Sequence, residues 1–172
     1  MVSAASEEGR LAVNGMSEYA RDGKNANSAL LVQVNPEDFG CDNALAGIEF
    51  QRRIEEAAFK AGGGNYAAPV QIYGDFVLGK VTGSEGNVHH SYRPEIKFAD
   101  LNNILPPFIS DALKEAIPAM GRKLKGFDSP DSLMTGVETR SSSPVRILRG
   151  ERGCSVSVYG VSPAGEGAGY AG

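Results

Sequence analysis

A chain of 172 residues with 41% hydrophobic and 22% charged side chains has the size and composition of one globular domain with a buried core. The net charge of −4 without a basic stripe argues against a nucleic-acid partner, and no apolar run is long enough to suggest a membrane span. Cys41 and Cys154 stand far apart and match neither a disulfide framework nor a metal site. With no signal-peptide pattern, we expect a cytoplasmic location.

The strongest strand pattern in the first third of the chain is the run of residues 28–34. It reads Ser-Ala-Leu-Leu-Val-Gln-Val and is almost continuously apolar, which is typical of a strand buried on both faces. Asn35 and Pro36 end it, because proline has no N–H to donate to a sheet. A shorter strand is predicted over residues 10–16. We expect the strand at 28–34 to be the one on which the domain is built.

Two later segments have the periodicity of amphipathic helices. The first covers residues 43–61, with Asp42 as its N-cap and Gly62 just past its end. Its apolar stripe consists of Phe50, Ile54, Ala57, Ala58 and Ala61. The second follows Pro106 and Pro107, and its stripe consists of Ile109, Leu113, Ala116, Ile117, Met120 and Leu124.

The remaining elements are short. Strands are predicted at residues 70–73 and 95–98, with a turn of helix between them at Asp75–Leu78. After the second helix, three more strands are predicted, at residues 133–140, 145–149 and 155–159. Strands and two long helices without regular βαβ alternation predict an α+β fold with a mixed or antiparallel sheet.

The chain ends in a glycine-rich run, residues 165–172, that fits the spacing G-x-G-x-x-G from Gly167 to Gly172. Such a run can hold a phosphate on bare backbone N–H groups when a helix follows it. No such helix follows within this sequence. A flexible glycine tail is therefore the alternative interpretation, and spacing alone favours it.

A second group of candidate residues lies in the predicted hairpin before this tail. Glu138 and Arg140 have the same side-chain direction on a strand, and Arg146 returns on the next strand. Two arginines with nearby serine and threonine hydroxyls suit a carboxylate or phosphate. The alternative is a solvated hairpin with surface ion pairs. His89 and His90 lie in a polar loop without metal-ligand spacing, so we expect an exposed loop there.

Several segments resemble a family of bacterial FAD-dependent dehydrogenases, often labelled NAD(FAD)-utilising dehydrogenases, and they include residues 68–71 with 75–76 and residues 91–92. The most specific are residues 135–147 (Thr-Gly-Val-Glu-Thr-Arg-Ser-Ser-Ser-Pro-Val-Arg-Ile) and 163–172 (Pro-Ala-Gly-Glu-Gly-Ala-Gly-Tyr-Ala-Gly). Residues 6–17 and 25–32 are similar to that family as well.

The resemblance implies an oxidoreductase in which this chain is a substrate or cap domain covering the flavin. Residues 1–9 would return from an FAD-binding domain, residues 10–153 would form the cap domain, and residues 154–172 would begin the second FAD-contacting segment. FAD would be the cofactor, with NAD(P) as a further one. The partners would be the FAD-binding domain of the same protein and a small-molecule substrate.

The same resemblance assigns the candidate site residues. The flavin contacts would be Gly165, Glu166, Gly167, Ala168 and Gly169, and the substrate contacts would be Glu138, Thr139, Arg140 and Arg146. Because FAD would be held mainly by a domain outside this sequence, we expect the chain alone not to retain it. The alternative is a non-catalytic interaction or anion-binding module with a glycine-rich tail.

Overall fold

A computed structural model describes residues 1–4 and 6–170. The described residues form two small sheets and three α-helices, which confirms the α+β class. The helices are α1 (Ala46–Ala61), α2 (Tyr73–Leu78) and α3 (Pro107–Gly121). The strands are β1 (Val2–Ser3), β2 (Val13–Asn14), β3 (Ala68–Ile72), β4 (Ile96–Phe98) and β5 (Leu133–Thr135).

The larger sheet has the order β4-β3-β5 and is mixed, as the sequence predicts. Strand β3 pairs in parallel with β4, placing Val70 opposite Phe98, and antiparallel with β5, placing Val70 opposite Thr135. Residues 68–71 of β3 are fully buried. Strand β3 is therefore the centre of the fold. The smaller sheet is the antiparallel pair β1–β2.

The prediction of a central strand at residues 28–34 is wrong. This segment has no regular secondary structure, and Leu31 is 56% exposed. An apolar run indicates that a segment can be buried, but a strand also needs a neighbour with which to exchange backbone hydrogen bonds. No strand among the described residues pairs with it. The strand expected over residues 10–16 is reduced to β2.

Both long helices are confirmed, with shorter bounds. Helix α1 begins at Ala46, so Asp42 is not its N-cap, and the side chain of Asn43 accepts a hydrogen bond from the N–H of Leu45 instead. Three members of its predicted stripe, Phe50, Ile54 and Ala58, are buried.

In helix α3, Leu113 and Ile117 of the predicted apolar stripe are buried, and the helix contains Pro118. It ends at Gly121, and Leu124, the last predicted member of the stripe, is 60% exposed. The predicted turn of helix at Asp75–Leu78 is part of α2.

A buried amide connects β3 to the segment after β4. The side chain of Gln71 is fully buried, and its Oε1 accepts a hydrogen bond of 2.8 Å from the N–H of Leu101. Its Nε2 donates to the carbonyl oxygen of Lys80 over 2.7 Å and to Oδ1 of Asp100 over 3.3 Å. Because each of these polar groups is paired, the amide is tolerated in the core.

Beyond β5, the chain contains less strand than the sequence predicts. The strand expected at 133–140 stops at Thr135, and those at 145–149 and 155–159 are reduced to one antiparallel bridge between Arg149 and Ser155. A strand needs a neighbour with which to exchange backbone hydrogen bonds, and among the described residues these segments have one only at residues 133–135 and at the bridge.

The contacts divide the chain into two compact units. The first unit comprises residues 1–33 and 53–139, and the second comprises residues 34–52 and 140–172. The sheets and helices α2 and α3 belong to the first unit. The second contains the segment that leads to the glycine-rich run. The domain boundaries expected from the sequence stay predictions.

Candidate functional site

The glycine-rich run forms a defined turn in the second unit. Residues Glu166–Ala168 make one turn of 3₁₀ helix between Gly165, with φ of 75°, and Gly169, with φ of 84°. The N–H groups of Gly169 and Tyr170 close it by donating to the carbonyl oxygens of Glu166 and Gly165, over 2.8 and 3.0 Å. The N–H groups that open a helical turn have no partner within that turn.

The turn packs against the segment that contains Arg146. The N–H of Ile147 donates to the carbonyl oxygen of Ala168 over 3.1 Å, and the hydroxyl of Ser143 donates to that of Gly167 over 3.3 Å. A Cβ on Gly169 would lie 2.7 Å from the carbonyl oxygen of Val145. Only glycine fits at this position, since both the backbone conformation and the close approach exclude a side chain.

Tyr170 joins the turn to two arginines. The guanidinium carbons of Arg146 and Arg149 lie 4.5 and 3.7 Å from the centre of the Tyr170 ring, within the range of cation–π interactions. The Tyr170 hydroxyl donates to the carbonyl oxygen of Ile147 over 2.9 Å, and Arg149 Nη1 donates to that of Pro163 over 3.0 Å. These contacts bring two positive charges beside the glycine turn.

We refer to Arg146, Arg149, Tyr170 and the turn of residues 165–169 as the Tyr170 cluster. Both arginines are exposed. A guanidinium stacked on an aromatic ring keeps N–H donors at its edge, and such donors suit carboxylate and phosphate oxygens. The cluster therefore places guanidinium donors of the kind that suit an anion on an exposed part of the second unit.

The structure brings together only some of the residues that the sequence singled out. Arg146 lies in the Tyr170 cluster with the five residues predicted to contact the flavin. Arg140 belongs to the same unit and is exposed. Glu138 and Thr139 belong to the first unit, where both are half-buried. Sequence reasoning missed Tyr170 and Arg149. The available signal was Tyr170 itself, an aromatic residue near the end of the glycine-rich tail.

Thr139 has a buried partner that sequence reasoning also missed. Its Oγ1 donates a hydrogen bond of 2.6 Å to Oε1 of Glu55, and Glu55 is 1% exposed. The available signal was the position of Glu55 on α1, directly after Ile54 of the apolar stripe. The N–H of Leu11 also donates to the carbonyl oxygen of Glu55, over 3.0 Å.

The loop after α2 contains a second group of titratable side chains. The carboxylate of Glu85 is hydrogen bonded to Nδ1 of His89 at 2.9 Å, to the N–H of His90 at 2.7 Å and to Nδ1 of His90 at 2.5 Å. Partial burial alone would raise the pKa of the Glu85 carboxyl, but these hydrogen bonds outweigh it and lower the pKa to about 2. These hydrogen bonds connect three residues of the loop, Glu85, His89 and His90.

Within residues 1–4 and 6–170, no three or more His, Cys, Asp and Glu side chains are arranged to hold a metal ion. None of the helices in this part of the chain is both long and apolar enough to cross a membrane. Cys41 and Cys154 are exposed free thiols.

Comparison with known families gives a match over residues 1–141. The matching family is described as FAD-dependent protein, C-terminal domain-like. The chain belongs to this family. Membership in this family supports the interpretation of the chain as a domain associated with a flavoprotein. This interpretation agrees with the resemblance seen in the sequence. The description of the family names FAD dependence and no particular reaction.

A relative with a long match is an uncharacterized protein of Clostridium beijerinckii (strain ATCC 51743 / NCIMB 8052). It is 52% identical to this chain over all 172 residues. These residues cover 32% of that protein, so the chain spans about one third of the length of the relative it matches.

FAD is the group that the family implies, and the Tyr170 cluster lies beyond the residues of the family match, so its fit to such a group is judged from geometry alone. Among the described residues, no atom lies within 4 Å of a Cβ placed on Gly165 or Gly167. At Gly165 the positive φ explains the glycine, whereas at Gly167 neither the backbone conformation nor any described neighbour requires one. A bare backbone that faces open space lets a ligand approach closely. The residues present therefore suit a phosphate-bearing cofactor.

Proposed function

We propose that this chain is the domain of an FAD-dependent oxidoreductase that covers the flavin and helps to shape the substrate site. The observation that carries the proposal is the family membership over residues 1–141. The exposed glycine turn backed by two arginines adds support from geometry. When bound, FAD would supply the hydride chemistry, with NAD(P) as a candidate electron donor.

Each part of the Tyr170 cluster would have its own role in binding. The guanidinium groups of Arg146 and Arg149 would donate hydrogen bonds to phosphate oxygens, and their charge would favour a dianionic pyrophosphate. The backbone of Gly165 and Gly167 would allow close approach. The carboxylate of Glu166, which is exposed, would accept hydrogen bonds from sugar or ribityl hydroxyls.

The residues that would contact the substrate include Glu138, Thr139 and Arg140. Arg140 would pair with an anionic group of a small substrate, since its guanidinium matches a carboxylate in two hydrogen bonds. Thr139 would be oriented by its hydrogen bond to the buried carboxylate of Glu55. Glu138 would accept hydrogen bonds from the substrate.

The proposed partner is an FAD-binding domain in the same protein. The second unit exposes several apolar side chains in the segment around the bridge of Arg149 and Ser155, and these are Leu148, Val156, Val158 and Tyr159. An exposed apolar surface of this kind is typical of an interaction site. A domain that packs there would cover the apolar surface beside the Tyr170 cluster.

The test uses a hybrid protein, in which this chain replaces the matching segment of the Clostridium beijerinckii relative. We expect the purified hybrid to keep FAD through desalting and to show the visible absorbance of oxidised flavin. We expect the chain alone to be colourless after the same step. A colourless hybrid that is folded by circular dichroism would overturn the proposal.

A matched set of variants then tests the Tyr170 cluster. In the hybrid, the double variant Arg146→Ala/Arg149→Ala should weaken FAD binding by on the order of 100-fold, as expected for two charge-assisted hydrogen bonds. The control is Arg122→Ala, which removes an exposed arginine after α3 and should leave FAD binding unchanged. Equal affinities in the two variants would exclude the cluster from the flavin site.

The alternative function, an anion-binding module without catalysis, is supported by the same two arginines. It predicts that the chain alone binds inorganic pyrophosphate and that the hybrid does not retain flavin. Isothermal titration of the chain with pyrophosphate, beside the absorbance measurement, separates the two functions.

A further inference from the structure

Residues 28–32 have the sequence Ser-Ala-Leu-Leu-Val, and we call them the Leu31 segment. It has the apolar composition of a buried strand but no regular secondary structure. Among the described residues, its backbone N–H and C=O groups make no hydrogen bond to another backbone group. The segment therefore combines backbone donors and acceptors that have no backbone partner among the described residues with one exposed large apolar side chain, that of Leu31.

The exposure of its side chains alternates along the chain. Leu30 and Val32 are half-buried, whereas Leu31 and Gln33 are exposed. Alternation from residue to residue is the pattern of an extended strand with one face on its own unit and the other facing outward. The segment thus has the side-chain pattern of a strand while its neighbour in a sheet is missing.

Such a strand is a template for pairing. Unpaired backbone groups in an extended apolar segment favour the addition of a second strand, and alternate side chains then enter pockets on the partner. The side chain of Leu31 is the outward-facing apolar contact. A solvated loop would instead be expected to be rich in polar and turn-forming residues, as residues 17–27 are.

We propose that the Leu31 segment pairs with an edge strand in the part of the longer protein that lies outside this chain. The chain is matched over its whole length by a protein about three times as long, so about two thirds of such a protein remains to supply the strand. A partner in the same polypeptide is present at a high effective concentration, about millimolar for a short linker. This inference rests on the proposed function in one respect, the presence of a second domain in the same protein.

The test is hydrogen–deuterium exchange of the peptide covering residues 28–34, in the chain alone and in the hybrid protein. We expect rapid exchange in the chain alone and exchange slower by on the order of 100-fold in the hybrid, because paired N–H groups are protected. The control peptide covers residues 17–24, which are likewise irregular and exposed, and should exchange rapidly in both proteins.

A substitution adds an independent readout. Leu31→Pro removes an N–H that makes no hydrogen bond among the described residues, so the urea midpoint of the chain alone should be unchanged. In the hybrid, the same change should remove the protection of the peptide. Ala26→Pro, in the polar stretch before the segment, is the control and should leave the protection in place.

Three outcomes would overturn the inference. Rapid exchange of residues 28–34 in a hybrid that retains FAD would refute the pairing and leave the proposed function standing. If residues 28–34 exchanged slowly in the chain alone and sedimentation showed a dimer, the strand that pairs with the Leu31 segment would come from a second copy of the chain. Unchanged protection of residues 28–34 in the Leu31→Pro hybrid would also contradict the proposed pairing. Protection in a hybrid without flavin would support the pairing and refute the proposed function.

Discussion

Thr139 donates a hydrogen bond of 2.6 Å to Glu55, a carboxylate that is 1% exposed on helix α1. The two residues are 84 positions apart in the sequence. A buried carboxylate needs hydrogen-bond donors, because its desolvation is costly. The hydroxyl at position 139 therefore has a partner inside the chain, although the resemblance also assigns Thr139 to the substrate.

Replacing Thr139 with valine keeps the shape of the side chain and removes the donor. We expect Thr139→Val to lower the free energy of unfolding by about 1–3 kcal/mol, since the Glu55 carboxylate loses a partner in a buried position. Thr139→Ser retains the hydroxyl and should recover most of the loss. Urea denaturation of the chain at neutral pH measures both, and equal midpoints for the valine variant and the parent chain would contradict the expectation.

Two glycines of the tail make a matched pair of substitutions. Gly169→Ala should destabilise the chain, because φ is 84° and the new Cβ would lie 2.7 Å from the carbonyl oxygen of Val145. Gly167→Ala should leave the stability of the chain unchanged, since no described atom lies within 4 Å of that Cβ. In the hybrid, however, Gly167→Ala should weaken FAD binding if the turn contacts the cofactor.

Thermal unfolding of the chain and FAD titration of the hybrid separate the two effects. A Gly167→Ala hybrid that binds FAD as tightly as the parent hybrid would show that the cofactor does not approach this glycine closely. A Gly169→Ala chain with an unchanged melting temperature would mean that the turn can rearrange away from Val145.

The Glu85 loop should give a pH-dependent contribution to stability. The pKa of the Glu85 carboxyl is lowered from 4.5 to about 2 in the folded chain, so the folded state favours the charged form. The stabilisation is therefore complete above about pH 4.5 and is lost as the pH falls towards 2. Glu85→Gln should unfold at lower urea than the parent chain at pH 6, and the difference should shrink below pH 4.5.

The control for this series is Glu115→Gln, which changes an exposed carboxylate on α3. Its urea midpoint should follow that of the parent chain across the same pH range. A difference between Glu85→Gln and the parent that stayed constant from pH 6 to pH 3 would show that the carboxylate charge is not what holds the loop.

The predicted substrate contact Arg140 can be tested in the hybrid with NADH as the anionic probe. NADH is the candidate electron donor and carries anionic phosphate groups, so Arg140→Ala should raise its KM by at least about tenfold through the loss of charge-assisted hydrogen bonds, with a smaller change in kcat. Arg122→Ala is again the control. If KM and kcat for NADH both equalled those of the parent hybrid, Arg140 would be removed from the proposed site.

Local patterns in the sequence predicted the parts of the fold that depend on neighbouring residues. The helical stripes of α1 and α3 follow from a period of 3.6 residues, and the buried Phe50, Ile54, Leu113 and Ile117 confirm them. The apolar run at residues 28–34 gave an equally strong signal and was wrong as the centre of the sheet. Pairing depends on a second strand, and a local pattern contains no information about that strand.

For the candidate site, the sequence alone picked out the glycine-rich run at residues 165–172 and two arginines, Arg140 and Arg146, as candidates for binding an anion. The tertiary structure decided that Arg146 lies beside that run, on the ring of Tyr170, while Thr139 is held by the buried Glu55 in the other unit. The physical reason is distance along the chain. Turn chemistry is local, whereas a cation–π contact across 24 residues or a hydrogen bond across 84 exists only once the chain has folded.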